Sequence, residues 1–394
     1  MFLPIIQPLQ NPPSMTNPSN AAPAASLAAL QAAPPKARLP ALDALRGFDM
    51  FWLIGGELLP AALFAWTGWS VFNLMAQQFE HSAWHGFAFY DLIFPLFIFI
   101  SGVSLGLQGH TLSGLPIAVR RPQYVRAVRR LVLLILLGVV YNHGWGTGMP
   151  ADPAAVRYAS VLGRIGIAWF VAAMLLWHLR TQTVVVLTGV LLVGYSLVQL
   201  QWPLTEAGSL NALVDQAWLP GITYRNAPLD PEGLYSQLGA ICNCLLGAFV
   251  GVAWQTESAA PRRRLVTLAG MGAALVLVAC LLHPFYPLNK TLWTGTFTLL
   301  TSGISLLLLL IFDLLLGQRS ARLSLPFYWL GQNAILIYLG TSLVMWSYSV
   351  KSLFGGWIAA SPANLQPLML ALALLGLQLL ALRWLYQRKL FLRL

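Results

Sequence analysis

Charged residues are scarce in this sequence, and acidic ones are the scarcest. Asp, Glu, Lys and Arg make up 9% of its 394 residues, with 12 acidic residues against 23 basic ones. Soluble domains carry roughly 25% charged residues. With 58% hydrophobic residues and a mean hydropathy of +0.69, this chain cannot cover itself with a soluble surface. We therefore predict an all-α polytopic membrane protein, which excludes the ordinary soluble classes.

Cysteine is also sparse. The chain has three, Cys242, Cys244 and Cys280, and all lie in apolar segments. Their spacing matches neither a disulfide framework nor a zinc site. Phosphate-binding loops of the G-x-G-x-x-G and Walker A kinds are missing as well. We expect the cysteines to be packing residues, and we expect no bound metal.

Long apolar runs, by contrast, recur along most of the chain. A helix needs about 20 apolar residues to cross the hydrocarbon core. Runs bounded by Pro, Gly and charge predict ten transmembrane helices, at residues 46–66, 88–108, 125–143, 158–178, 183–200, 234–254, 265–283, 292–316, 327–349 and 365–386. Residues 1–40 are rich in Ala and Pro, a composition typical of a disordered tail. Residues 41–394 then form one transmembrane domain.

The basic residues are distributed unevenly between the loops. Eighteen of the 23 Lys and Arg residues fall on one side of the predicted spans, four fall on the other, and Arg164 lies inside a span. Cytoplasmic loops are enriched in Lys and Arg, so both termini are predicted to be cytoplasmic. This asymmetry explains the net charge of +11 without a nucleic-acid partner. We expect the lipid bilayer as partner and a bacterial inner membrane as location.

Ionisable residues gather at the outer ends of several predicted spans. Such groups are rare in membranes and usually functional. His81 can exchange a proton near neutral pH, and Asp91 could orient its ring as in catalytic triads. Three other interpretations stay open: a structural role for His81, a helix-capping role for Asp91, and a metal site. The last would use His81 and His85, but it has no obvious third ligand.

Arg164 falls inside the fourth predicted span, 158–178, away from the loops on either side. It must be paired or solvated there. Two interpretations are open: an ion pair with Asp91, Asp230 or Glu232, or a clamp on a phosphate group. A continuous helix from Arg157 would place Arg164 on the same face, about 10 Å deeper.

Two G-x-x-x-G patterns occur in the predicted spans, at Gly102–Gly106 and Gly247–Gly251. Small residues at this spacing let helix backbones approach closely. They predict tight helix packing, and they raise a homodimer as a further partnership.

The segment HSAWHGFAFYDLIFPLFIFISG (81–102) resembles the H-x-x-W-x-G-x-x-x-x-D-L-x-F-P-x-F-x-F-x-x-G signature of the heparan-α-glucosaminide N-acetyltransferase family. That family includes a lysosomal enzyme and bacterial proteins of the NagX type. Five further stretches resemble blocks of the family in the same order: LDALRG (42–47), VLGRIGIAWF (161–170), DPEGL (230–234), NKTLWT (289–294) and GQNAILIYL (331–339).

The resemblance implies a transmembrane acyltransferase that moves acetyl from cytosolic acetyl-CoA to the amine of a glucosamine-type sugar on the outer side. It implies that His81 carries the transfer, with Asp91 in support. We assign binding of the acceptor sugar to residues within or beside the matching blocks: Trp84, His85, Arg164, Asp230, Glu232, Asn289 and Lys290. Oxyanion donors would come from Asn289, Lys290 or the Trp84 indole. CoA is anionic, and its predicted contacts are Arg46, Arg126, Arg129, Arg130 and Asn333.

This sequence departs from the family pattern in places. Gly163 stands where Gln is usual, and His85 and Thr341 stand where the lysosomal enzyme has Asn and His. These differences leave the identity of the acceptor open more than the type of reaction.

Two rival functions share the same residues. The first is a secondary transporter for amino sugars with His81 and Asp91 as a proton relay, although no inverted repeat is visible. The second is an O-acyltransferase of a surface glycan, a family that typically carries a histidine in its first span. Residues 46–66 contain none.

Overall fold

The computed structural model describes residues 39–109, 111–143, 152–256, 260–316 and 325–392. The predicted disordered tail lies outside these ranges apart from its last two residues. Within them the chain forms fifteen α-helices, and the nearest approach to a sheet is an isolated bridge between Arg157 and Gly221. The prediction of an all-α polytopic bundle is confirmed.

The helices are numbered in chain order. They are α1 (Pro40–Phe51), α2 (Leu58–Thr67), α3 (Ser70–Gln77), α4 (Tyr90–Gln108), α5 (Ile117–His143), α6 (Val161–His178), α7 (Thr181–Gln199), α8 (Leu210–Trp218), α9 (Gln237–Thr256), α10 (Pro261–Leu282), α11 (Gly295–Leu316), α12 (Leu325–Gln332), α13 (Ala334–Leu343), α14 (Trp346–Ala359) and α15 (Gln366–Gln387).

Seven helices in the described ranges are long and apolar enough to cross a membrane: α4, α6, α7, α9, α10, α11 and α15. Two bent pairs raise that number to nine if each pair is one span. The 27-residue α5 corresponds to the remaining predicted span, but its first half carries Arg126, Arg129 and Arg130. The ten predicted spans thus correspond to seven straight helices, two bent pairs and α5, which is not among the helices that are apolar enough to span a membrane.

The first predicted span, 46–66, is bent rather than straight. Between α1 and α2 the chain forms a π-helical turn, Trp52–Gly56, and the two helices meet at 54°. Gly55 has a φ of 129°, a conformation that glycine adopts without strain. The freed backbone groups find side-chain partners, since Gly55 N donates to Glu57 Oε2 at 3.1 Å and Gln378 Nε2 donates to Ile54 O at 2.7 Å. The break is therefore satisfied within the bundle, as apolar surroundings demand.

The predicted span 327–349 is also interrupted. It is divided between α12, α13 and the start of α14, and α13 and α14 meet at 74°. Asn333 lies at the first division with φ −116° and ψ 25°, outside the helical region. Apolar composition predicted the length of this segment but not its breaks.

The two G-x-x-x-G patterns pack against each other inside one chain. A Cβ on Gly102 would collide with the backbone of Cys244, and one on Gly106 with that of Ala248. Gly247 and Gly251 on α9 approach the backbone of α4 in the same way. The close packing was predicted correctly. Because α4 and α9 use both patterns on each other, the homodimer stays a prediction without support from these glycines.

Helix α4 lies at the centre of the bundle. It packs against α9, α6, α11 and α1, and its residues Leu96, Phe99 and Val103 are fully buried. In contrast, α7 and α10 expose Val186, Val190, Leu281 and similar side chains. Such apolar faces are what a bilayer covers. The site described next lies at the N-terminal end of α4.

Candidate functional site

His81 and Asp91 meet at the start of α4. His81 lies in the non-helical segment between α3 and α4, and its Nδ1 is 2.8 Å from Asp91 Oδ1. The Asp91 side chain is fully buried in the first turn of α4, whereas 54% of the His81 side chain is exposed. The buried carboxylate therefore fixes an imidazole that other molecules can reach.

The second oxygen of Asp91 holds the loop in place. Asp91 Oδ2 accepts hydrogen bonds from Ser82 N at 3.3 Å, Ser82 Oγ at 3.0 Å and Ala88 N at 3.1 Å. No side chain caps the N-terminus of α4, so the helix-capping interpretation is not borne out: Asp91 binds backbone groups of the preceding loop and orients His81. A carboxylate acceptor at Nδ1 favours the tautomer with hydrogen on Nδ1, which leaves Nε2 as the proton acceptor, with Lys290 Nζ 3.5 Å from it. The His81 ring also stacks on Tyr90 with centroids 5.0 Å apart.

Lys290 brings a cation to the same pair. Its Nζ lies 3.3 Å from Asp91 Oδ1 and 3.1 Å from His81 Nδ1. Burial lowers the pKa of Lys290, and the negative charge of Asp91 opposes part of that effect. The ammonium group can donate to Asp91 while remaining within reach of a group held at His81.

Asn289 and Trp84 position this arrangement rather than complete it. The buried Asn289 accepts from Leu292 N at 2.7 Å and donates to Trp84 O at 2.9 Å. The Trp84 indole donates to Leu204 O at 2.8 Å. Both of these predicted oxyanion donors are therefore committed to the protein itself. Lys290 is the predicted oxyanion donor that stays directed at His81.

Two cavities meet at His81. The inner one, of about 460 Å³, is lined mostly by apolar side chains such as Ile93, Phe94, Phe97 and Ile165. The outer one, of about 300 Å³, is bounded by more charged and hydrogen-bonding side chains, among them Ser82, Asn142, Arg157 and Thr291. The two share seven lining residues: His81, Tyr141, Val161, Tyr224, Glu232, Lys290 and Tyr338. We call them the inner lobe and the outer lobe of one site.

An ion-pair cluster forms the wall of the outer lobe. Arg157 Nε and Nη2 each donate to one oxygen of Asp230 at 2.7 Å, and Nη2 also donates to Glu232 Oε2. Burial alone would raise the pKa of Asp230, but the hydrogen bonds and charge of Arg157 outweigh it and lower that pKa. Asp230 therefore stays ionised at neutral pH. The Arg157 guanidinium also lies 4.9 Å from the centre of the Tyr224 ring.

Arg164 lies elsewhere than predicted. Ser160 caps α6 by accepting from Gly163 N at 3.0 Å, so Arg157 precedes the helix and the predicted shared helical face of Arg157 and Arg164 is wrong. The guanidinium of Arg164 is fully buried, 4.7 Å from the Trp293 ring, and Nη2 donates to Gly233 O and Ser236 Oγ.

Arg164 forms no ion pair among the described residues, and it lines neither lobe. The guanidinium interacts electrostatically with Glu232 and Asp230 without a direct ion pair, and its absence from both lobe linings gives the phosphate-clamp interpretation no support. Its contacts join α6 to the start of α9 and to the loop before α11.

His85 also stays outside both lobes. Its Nδ1 lies 3.4 Å from Asn289 Nδ2, and burial together with His283 lowers the pKa of the His85 ring. The segment 79–89 is not helical, so the four-residue spacing does not place His81 and His85 on one helical face. In the described ranges no three His, Cys, Asp or Glu side chains are grouped as metal ligands.

The predicted CoA residues divide into two groups. Arg126, Arg129 and Arg130 line a third cavity of about 350 Å³ near the predicted cytoplasmic ends of α5 and α6, together with Trp169 and Trp177. Arg130 lies over the Trp169 ring, 4.1 Å from its centre. We call this the basic cavity.

Arg46 and Asn333 do not line the basic cavity. Arg46 pairs with Asp43 at 3.0 Å and with Ser104 Oγ at 3.1 Å. Asn333 is buried at the division between α12 and α13, and its amide atoms have no hydrogen-bond partner among the described residues. Its neighbour Ala334 lines the inner lobe.

Four residues of the site were missed by sequence reasoning. They are Arg157, Tyr141, Tyr224 and Tyr338. Tyr141 and Tyr338 stack with centroids 4.4 Å apart and line both lobes. Arg157 gave a signal as one of four basic residues on the predicted outer side, and Tyr338 as part of the GQNAILIYL block, whereas Tyr141 and Tyr224 come from segments without a recognisable motif.

No family model matches this chain. It is similar to proteins named heparan-alpha-glucosaminide N-acetyltransferase from Mus musculus, at 25% identity over 325 residues, and from Homo sapiens, at 24% over 322 residues. Each match covers 66% of this chain and 49% or 48% of the relative, so the chain spans about half the length of the curated relatives it matches. The expected resemblance is confirmed as a distant family relationship. The narrower NagX-type label stays a prediction.

Proposed function

We propose that this chain, a distant relative of the heparan-alpha-glucosaminide N-acetyltransferases, is a membrane N-acetyltransferase. It takes acetyl from acetyl-CoA on the cytoplasmic side and delivers it to the amine of a glucosamine-type sugar on the outer side. One observation carries the proposal: the oriented His81–Asp91 pair lies where the outer lobe, bounded by several charged side chains, meets the inner lobe, which is lined mostly by apolar ones. The hydroxyl and amino groups of a sugar suit the outer lobe, and an acyl thioester suits the inner lobe.

His81 is the proposed general base. An amine that attacks a thioester carbonyl must lose a proton as the tetrahedral intermediate forms. His81 Nε2 takes that proton, and Asp91 stabilises the imidazolium through its 2.8 Å contact with Nδ1. The C–N bond forms, the C–S bond breaks, and His81 returns the proton to the departing thiolate sulfur. The products are the N-acetyl sugar and free CoA.

Lys290 is the proposed electrostatic partner. Negative charge develops on the carbonyl oxygen during the attack, and a fixed donor aimed at that oxygen lowers the barrier. The ammonium of Lys290 is 3.1 Å from the His81 ring and lines both lobes. Asn289 supports it by anchoring the loop against Trp84.

The basic cavity is the proposed entrance for acetyl-CoA. Arg126, Arg129 and Arg130 line it, and its lining contains no acidic side chain, so it suits the phosphates of CoA. Trp169 in this cavity and Ile165 in the inner lobe are four residues apart on α6, about 6 Å along the helix. A pantetheine arm bound at the arginines would therefore extend towards His81 through the apolar inner lobe.

The test is release of CoA by the purified protein in detergent. We expect release from acetyl-CoA to depend on glucosamine and to be lost in His81→Ala. His178→Ala is the matched control, because His178 bonds Tyr124 Oη at 2.9 Å and lines neither lobe. CoA release that does not depend on glucosamine, or full CoA release in His81→Ala, would contradict the proposal. Glucosamine movement across vesicles without acetyl-CoA would favour the transporter instead.

A further inference from the structure

The cations of the outer lobe are already neutralised by the protein. Among the described residues that line this lobe, Arg157 and Lys290 are the basic ones, and Asp91 and Glu232 are the acidic ones. Asp230 lies directly behind Arg157 and is fully buried. Arg164 and Asp215, also buried behind this wall, carry opposite formal charges that cancel. The remaining three carboxylates and two cations have a formal charge of minus one when His81 is neutral.

Two of the three guanidinium nitrogens of Arg157 are bonded to carboxylates of the protein, and the third makes one long contact to an amide oxygen. Its Nε and Nη2 bind Asp230, Nη2 also binds Glu232, and Nη1 lies 3.4 Å from Asn142 Oδ1. An arginine that recognises phosphate or sulfate needs its planar fork free for the ligand oxygens. Here a carboxylate of the protein occupies that fork.

Lys290 is committed in a similar way. Its Nζ is 3.3 Å from Asp91 Oδ1, and Asp91 is fully buried. Replacing that contact with a ligand sulfate would leave a buried carboxylate without its cation, which is strongly unfavourable. In the proposed reaction the remaining donor capacity of Lys290 is used by the acetyl carbonyl oxygen at His81, so neither cation of the lobe is directed at an anionic substituent elsewhere on the sugar.

Glu232 is the acidic group that faces the site. It lines both lobes, its side chain is 11% exposed, and only Oε2 is used by Arg157. Its Oε1 has no hydrogen-bond partner among the described residues. A carboxylate oxygen in this position can accept a hydrogen bond from a hydroxyl or an ammonium group.

Resting on the proposed acetyltransferase function, we propose that the outer lobe selects amino sugars without anionic substituents and that Glu232 sets this selectivity. Glu232 Oε1 accepts from a hydroxyl or the ammonium of the acceptor, and it repels sulfate or phosphate placed in the same space. Arg225, the nearby cation on the Tyr224 ring, is exposed and lines neither lobe, so it does not reverse this preference.

The test compares glucosamine with glucosamine 6-sulfate as acceptors in the acetyl-CoA assay. We expect wild-type kcat/KM to favour glucosamine by at least about tenfold, because like charges in a partly buried site repel strongly. Glu232→Gln should shrink that ratio several-fold, mainly through a lower KM for the sulfated sugar. Glu206→Gln is the matched control: Glu206 is an exposed residue of the outer loops that lines neither lobe, and its ratio should equal that of the wild type.

Binding to the His81→Ala variant separates selectivity from catalysis. Glucosamine should raise its unfolding temperature more than glucosamine 6-sulfate does, and Glu232→Gln in that background should remove the difference. Equal shifts of the unfolding temperature by the two sugars with Glu232 intact would contradict the proposed selectivity. An unchanged ratio of the two kcat/KM values in Glu232→Gln would contradict it as well. If wild-type protein binds glucosamine selectively but releases no CoA, the selectivity holds and the proposed reaction fails.

Discussion

The outer lobe and the basic cavity both contain basic residues, but the two regions treat them in opposite ways. In the outer lobe Arg157 and Lys290 are each bonded to carboxylates. In the basic cavity Arg126, Arg129 and Arg130 have no acidic neighbour among the lining residues. The difference separates cations that are paired within the protein from cations that have no acidic partner in their cavity lining, which are the ones proposed to bind CoA. A count of basic residues in the sequence cannot make that distinction.

If the two regions have separate roles, changes in the outer region should act on the chemical step. His81→Ala should lower kcat by about 10²- to 10⁴-fold, the usual contribution of a general base. Release of CoA under saturating acetyl-CoA measures this effect. An unchanged KM for acetyl-CoA in the same variant would support separate roles for the outer lobe and the basic cavity. A raised KM with an unchanged kcat would contradict those roles.

Lys290→Met should produce the next largest effect. Loss of a fixed donor to a developing oxyanion lowers kcat by about 10²-fold. Lys290→Arg, which keeps the charge, should recover part of the rate, and saturation kinetics with both substrates will show it. Equal losses in the two variants would contradict an electrostatic role for Lys290.

Changes in the basic cavity should act on donor binding. The double variant Arg126→Gln and Arg129→Gln should raise the KM for acetyl-CoA about tenfold and leave kcat nearly unchanged, because it removes two charges that face the CoA phosphates. Arg121→Gln on the same helix is the control, since Arg121 is exposed and does not line this cavity. The effect should weaken as salt is added.

A further effect, on stability and not on rate, concerns the outer-lobe ion pair. Asp230→Asn breaks the Arg157 pair and should destabilise the outer lobe by about 3 kcal/mol, measured as a lower unfolding temperature at pH 7. The pKa of Asp230 is lowered in the folded protein, so its contribution is present above the pKa of the unfolded carboxyl, about 3.9, and is lost as pH falls through the folded value. The difference between wild type and variant should therefore vanish under acid. A difference that persists there would refute the ion-pair account.

Much of the fold follows from the sequence by simple physics. Long apolar runs predicted the spans, and the G-x-x-x-G patterns predicted the close contact that α4 and α9 make through Gly102 and Gly247. The breaks in the predicted spans 46–66 and 327–349 could not be predicted from the sequence, because such breaks depend on partners that are distant in the chain. Gln378, more than 300 residues away in the chain, satisfies the carbonyl of Ile54 at the first break.

The site could be predicted only in part. His81, Asp91 and Lys290 were selected as ionisable residues at span ends, and the structure brings all three together. Arg164 was misplaced because the start of α6 depends on the Ser160 cap. Tyr141 and Tyr338 were missed since aromatic residues are common at membrane interfaces, and their stacking is a tertiary contact.

The most direct test of the account is a sided reaction in vesicles. With acetyl-CoA confined to the face of Arg126, Arg129 and Arg130, and glucosamine confined to the face of His81, we predict that N-acetylglucosamine appears on the glucosamine side while free CoA stays on the other. Product that forms only when both substrates share one side would contradict transfer of acetyl across the membrane through this bundle.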